Sequence, residues 1–207
     1  MGTRVFNDFD LNEVLPYIDW DPFFSTWQIR GKYPNRTYPK IFNDKTVGAE
    51  AKKLFDNAQV MLKKLIDENL IEARGIVGFY PCNTVDLDDV AVMDPEDPTR
   101  EKCKFMMLRQ QLDMDQANYI SMSDFIAPKE SGVQDYIGGF ACSAGFKQDE
   151  LCEKFLADGD DYNNIMVKTL TDRLAEAFSE YLHVLVRREL WGYSPDEALT
   201  PAQCLNV

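Results

Sequence analysis

Residues 160–193 read DDYNNIMVKTLTDRLAEAFSEYLHVLVRRELWGY. Met166, Leu170, Leu174, Ala177, Tyr181 and Leu185 recur at steps of three and four, the spacing at which side chains stack on one face of a helix. The pattern predicts a helix over 161–190, long enough to cross an entire domain. A second row on the same helix, Lys168, Asp172, Glu176 and Glu180, repeats every four residues and continues into His183 and Arg187. Asp172 and Glu176 are therefore paired carboxylates on one face. Such a row reads in two ways. It is a solvated face with ion pairs of a few tenths of a kcal/mol each, or an acidic surface that meets a cationic ligand or a partner's histidine.

Outward from this helix the elements are shorter. Residues 47–69 predict a helix whose apolar stripe is Ala51, Leu54, Phe55, Ala58, Leu62, Leu65 and Ile66, with Lys52, Lys53, Asp56, Lys63, Lys64 and Asp67 largely off it. Residues 148–157 predict a short helix. Another is expected over 7–19, ended by Pro16 and the Asp19-Trp20-Asp21-Pro22 run. Residues 74–80 (RGIVGFY) are β-branched and aromatic and predict a strand stopped by Pro81. Further strands are expected within 86–92, 103–108 and 136–146. Residues 82–101 hold seven acids against one base, Arg100, and contain Pro95 and Pro98; they read as an exposed, mobile excursion. Strands and helices without regular βα alternation argue for an α+β fold around a largely antiparallel sheet.

The chain has 207 residues, 45% of them hydrophobic and 28% charged, so a sizeable core is available. Its net charge of −13 argues against nucleic acid or an anionic membrane as a partner, because those surfaces require a cationic excess. A single histidine, His183, excludes a His-rich metal site. The five cysteines form no CxxC and are odd in number, which fits buried thiols in a reduced compartment better than a zinc cluster or a disulfide framework. No run of about 18 apolar residues is present. These features point to a soluble, cytoplasmic protein.

Signals of chemistry are few. Gly75–Gly78 and Gly138, Gly139 and Gly145 match neither phosphate-binding pattern, and glycines within strands more often permit close backbone approach. No GxSxG elbow accompanies His183. Tyr17–Phe24 (YIDWDPFF) sets two acids, Asp19 and Asp21, among aromatics. It reads either as the wall of an apolar pocket with polar anchors or as aromatic core with Asp19 capping local structure.

Taken together, YIDWDPFF, Arg30–Asn35 (RGKYPN), Arg74–Pro81 (RGIVGFYP), Leu108–Gln111 (LRQQ), Ser123–Pro128 (SDFIAP), Asp135–Ala141 (DYIGGFA) and residues 160–193 resemble, in order, the S-adenosylmethionine-binding activation domain of cobalamin-dependent methionine synthase. The resemblance runs over about residues 17–205. It implies a C-shaped α+β domain with a twisted antiparallel sheet and flanking helices. It also implies a role within a methyltransferase that moves a methyl group from methyltetrahydrofolate to homocysteine. The activation domain presents S-adenosylmethionine when the cobalamin has been oxidised to cob(II)alamin and a flavodoxin-type reductase supplies an electron. The implied partners are therefore the cobalamin-binding module and that reductase. Carried over by motif, Asp19 and Glu176 contact S-adenosylmethionine, and Asp172 meets a histidine of the cobalamin module. The family's Arg-Pro-x-x-Gly-Tyr-Pro segment is expected after Leu205, so residues 1–207 read as a partial activation domain that does not turn over substrate alone. A second expectation is a non-catalytic interaction module that keeps the fold without the ligand.

Overall fold

The computed structural model describes residues 1–112 and 118–204. Leu205, after which the Arg-Pro-x-x-Gly-Tyr-Pro segment was expected, lies outside the described residues. The chain divides into two compact units, one of Met1–Val5 with Ile76–Phe140 and one of Phe6–Gly75 with residues 141–204.

The second unit is built on the long helix. The Asp160 carboxylate accepts from the Asn163 backbone N–H at 3.0 Å and caps Asp161–Leu185, named α5 in an order that places α1 at Leu11–Val14, α2 at Trp20–Thr26, α3 at Gly48–Asp67 and α4 at Gln148–Ala157. Met166, Leu170, Leu174 and Ala177 are at most 1% exposed, so the stripe is core as its spacing requires. The regular helix ends earlier than 190: Val186–Leu190 is a π-turn. Arg187 holds that turn by gripping Glu197 at 2.9–3.0 Å while its carbonyl accepts from the Ser194 N–H at 2.9 Å. Helix α3 buries Ala51, Leu54, Ala58, Leu62 and Leu65 and carries the i,i+4 pairs Lys52–Asp56 and Lys63–Asp67 on its wet face.

The helix expected over 7–19 is instead two. After α1 comes a 3₁₀ turn over Leu15–Tyr17 containing Pro16, and the Asp-Trp-Asp-Pro run begins α2 rather than ending a helix. Asp19 accepts from the Asp21 N–H at 3.0 Å as the N-cap, and Pro22 lies in the first turn, where a missing N–H costs nothing.

Among the described residues the sheet has five strands: β1 (Gly2–Phe6), β2 (Glu72–Val85), β3 (Asp89–Met93), β4 (Glu101–Met106) and β5 (Asp135–Phe146). Their order is β1-β2-β3-β4, with β5 also paired to β2. The β2–β3 and β3–β4 pairs are antiparallel, and with the helices this is an α+β architecture. β1 was not foreseen. Pro81 does not stop β2, because pairing with β3 starts at Cys82↔Val92 and loses no donor to the proline.

The mobile excursion over 82–101 is likewise corrected. Cys82, Val90 and Val92, all at most 3% exposed, form a core with Tyr80, Ile126 and Ile137. Asp94, 8% exposed, is paired with Arg100 and accepts from the Glu96 N–H. The acids there serve as turn anchors. Arg109 of the LRQQ stretch spans Asp88 and Asp124, and Asp124 closes a capping box with Ser121.

Candidate functional site

All three acids singled out in the sequence, Asp19, Asp172 and Glu176, belong to the helical unit. Helices α1 and α2 and the turn between them pack along α5. Tyr181 of α5 donates its hydroxyl to Glu13 Oε2 at 2.5 Å, and its ring meets that of Tyr17 at 5.5 Å. Burial, followed by the Glu13 carboxylate, raises the Tyr181 phenol well above its ordinary value. Burial also raises Tyr17, with the nearby Cys204 thiol adding to this and the Arg188 and Arg187 guanidiniums opposing it. The Ile18–Asp19 corner is thus pinned to the helix that carries Asp172 and Glu176, five to nine residues before Tyr181.

Asp19 is half-buried, with Oδ1 committed to the Asp21 N–H. Asp172 and Glu176 are exposed on α5. Glu176 is ion-paired to Arg173, three residues earlier and only 18% exposed in its side chain, so a cationic ligand at Glu176 must share that carboxylate with Arg173. The sequence reading placed Glu176 in an i,i+4 row and did not anticipate this i,i+3 pair, although Arg173 stands in the same motif. His183 is exposed on the same helix.

Asp21 is the acid that the sequence reading noted without assigning a role. Its Oδ1 accepts from the Tyr38 N–H at 2.6 Å. Burial raises its carboxyl above the usual range, the Tyr38 bond opposes this, and the neighbouring Asp19 adds to it. The signal available was two acids at i,i+2 around a tryptophan; the tertiary contact with Tyr38 could not be read from it.

All five thiols are free, and Cys82, Cys152 and Cys204 are buried. Among the described residues no helix is long and apolar enough to cross a membrane.

A long helix with acids on one face, in a chain that also forms a largely antiparallel sheet, places this protein among the α+β modules. The family model for the activation domain of vitamin B12-dependent methionine synthase matches residues 10–207, and the chain belongs to that family. A solved structure titled as the MetH reactivation domain bound to AdoHcy is similar to it, with 43% identity and a TM-score of 0.92 over all of this chain. The chain spans 61% of the length of that structure's chain.

Proposed function

We propose that this chain is part of an activation domain that binds S-adenosylmethionine and offers its methyl group for reductive remethylation of a cobalamin held by another module. The observation that carries the reading is the 43% identical neighbour bound to AdoHcy, the product left when S-adenosylmethionine gives up its methyl. The carboxylates of Asp19 and Glu176 fit the ligand's chemistry: a sulfonium and an ammonium are both stabilised by nearby anions. In this reading Asp19 and Glu176 orient the cationic ligand, with Arg173 holding Glu176 in place until it arrives. Asp172, exposed one turn away, accepts a proton-bearing imidazole from the cobalamin module. Cobalamin, when present, supplies the acceptor for the methyl group. A flavodoxin-type reductase is the proposed electron donor, the parent enzyme is the methyltransferase, and this chain alone turns over nothing. The free thiols agree with a cytoplasmic setting.

Calorimetry with S-adenosylmethionine tests this on the chain and on a longer version that continues through the Arg-Pro-x-x-Gly-Tyr-Pro segment. Binding is expected, weakened roughly tenfold or more by Glu176→Gln. Silence from both would overturn the reading. The Arg173–Glu176 pair, which occupies one acid internally, favours one alternative: an interaction module without ligand. That alternative predicts that a cobalamin module still binds, that Asp172→Asn weakens its binding, and that Glu176→Gln does not.

A further inference from the structure

The RGKYPN loop takes no part in the site above, yet it is closely braced. Asp44 holds it: Oδ2 accepts from the Lys32 N–H at 2.8 Å, while Oδ1 accepts from the Thr46 N–H and hydroxyl and from the Val47 N–H at 2.6–3.1 Å. These donors keep the Asp44 carboxyl far below its ordinary value. The Asn35 N–H donates to the Lys32 carbonyl at 2.7 Å, and its side chain donates to the Asn43 carbonyl at 3.3 Å. A Cβ on Gly31 would stand 2.0 Å from the Asn35 carbonyl oxygen, so only glycine lets the loop close this tightly. Such bracing fixes the backbone that carries Arg30 and Arg36 before a ligand arrives, which lowers part of the ordering cost of binding.

What the loop holds in place is a cleft of about 630 Å³ between α2 and residues 29–37. Its floor includes the buried Phe24 and Ile29, and Asp21, Arg30, Arg36 and Tyr33 line it. That is the size and mixed lining of a small-molecule pocket. Arg74, Arg100, Arg109, Arg173 and Arg187 each hold a carboxylate, whereas Arg30 and Arg36, like Arg188 elsewhere, have no ion-pair partner among the described residues, and these two line one cleft. Asp21 shares the cleft with them and is likewise in no ion pair among the described residues; its Oδ1 is engaged only by a backbone N–H.

We propose that this cleft is a second ligand site that takes the zwitterion of an α-amino acid with an apolar side chain. The carboxylate is received by Arg30 and Arg36, the ammonium group by Asp21, and the side chain by the Phe24–Ile29 floor. Two guanidiniums alone would suit any small anion. The carboxylate of Asp21 disfavours phosphate and favours a ligand carrying both signs, and the apolar floor favours a side chain over glycine. None of Asp19, Asp172 and Glu176 lines the cleft; Asp19 touches it only by capping the turn that carries Asp21, so the inference does not rest on the S-adenosylmethionine reading.

Calorimetry of the full chain with L-methionine as the probe tests it. Saturable binding is expected, weakened roughly tenfold or more by Arg30→Ala and by Arg36→Ala. Asp21→Asn should weaken it similarly, glycine should bind more weakly, and Glu176→Gln should change nothing. Thermal melts matching the parent chain show that each variant has folded, and Arg30→Lys should restore part of the affinity. No saturable heat, or full affinity in both arginine variants, overturns the proposal. Competition by acetate or inorganic phosphate as strong as that by L-methionine, with Asp21→Asn silent, reduces the site to one for bare anions and overturns it too. Loss of binding in Glu176→Gln with the arginine variants intact moves the amino acid to the other site and has the same consequence.

Discussion

Asp19 has one structural duty and one proposed duty. Oδ1 caps α2 through the Asp21 N–H, and the charge of the group is what the proposed ligand would feel. The two duties separate by substitution. Asparagine is as good an N-cap as aspartate, so Asp19→Asn should leave the melting temperature nearly unchanged while weakening S-adenosylmethionine binding. Asp19→Ala removes the cap as well and should cost about 1 kcal/mol of stability, read by denaturant titration. A loss of stability in Asp19→Asn equal to that in Asp19→Ala would contradict this division. The acid-rich motif was visible in the sequence. The cap was one of the two readings the motif offered, and the backbone angles of Asp19, extended at φ −79° and ψ 116°, realise it.

Among the elements, β2 shows most clearly why strand glycines are placed where they are. A Cβ on Gly75 would lie 2.9 Å from Phe178 Cζ and 3.3 Å from Leu182 Cδ1 of α5. The glycine is the gap through which the long helix reaches the strand, in keeping with its reading as a close-approach residue. Gly75→Ala should therefore overpack the core and cost about 1–3 kcal/mol, seen as a lower midpoint in a denaturant melt; an unchanged midpoint would show that Phe178 yields freely. Helices α3 and α5 were legible because an apolar stripe repeated over many residues has no competing explanation, and the short α4 was expected with them. The division of the first helix and strand β1 were not. α1 and α2 divide at a proline that stands in a 3₁₀ turn. The acid-rich 82–101 stretch folded into a hairpin because Cys82, Val90 and Val92 outweigh the charges around them.

For the whole molecule, the −13 charge would suggest a fold relieved by acid, yet the individual carboxyls point the other way. Asp124 is lowered to about 2 from an ordinary 3.8, chiefly by Arg109 and then by the Ser121 N–H. Asp94, Asp97, Asp160 and Glu72 are also lowered, by hydrogen bonds to Arg100, Thr99, Asn163 and Arg74 respectively. A carboxyl whose folded value lies below its unfolded one contributes stability that is fully present above the unfolded value and is lost as pH falls toward the folded one. Thermal melts should therefore hold steady down to about pH 4 and fall as pH drops toward 2, the value for Asp124. Asp124→Asn should melt lower than the parent at neutral pH and converge with it in acid. Asp21, raised by burial, works against this trend. A melting temperature that rises on acidification would mean that relief of net charge outweighs these local bonds.

The sequence by itself determined the α+β class, the long helix with its buried stripe and acidic row, and the family, because periodic apolar spacing and ordered motifs are properties of the chain alone. Only the tertiary structure decided that Arg173 holds Glu176, that Tyr38 holds Asp21, and that Arg30 and Arg36 share a cleft with no ion-pair partner among the described residues. Such pairings depend on where the backbone brings distant or neighbouring groups, and a side chain's charge does not announce which opposite charge the fold will set beside it.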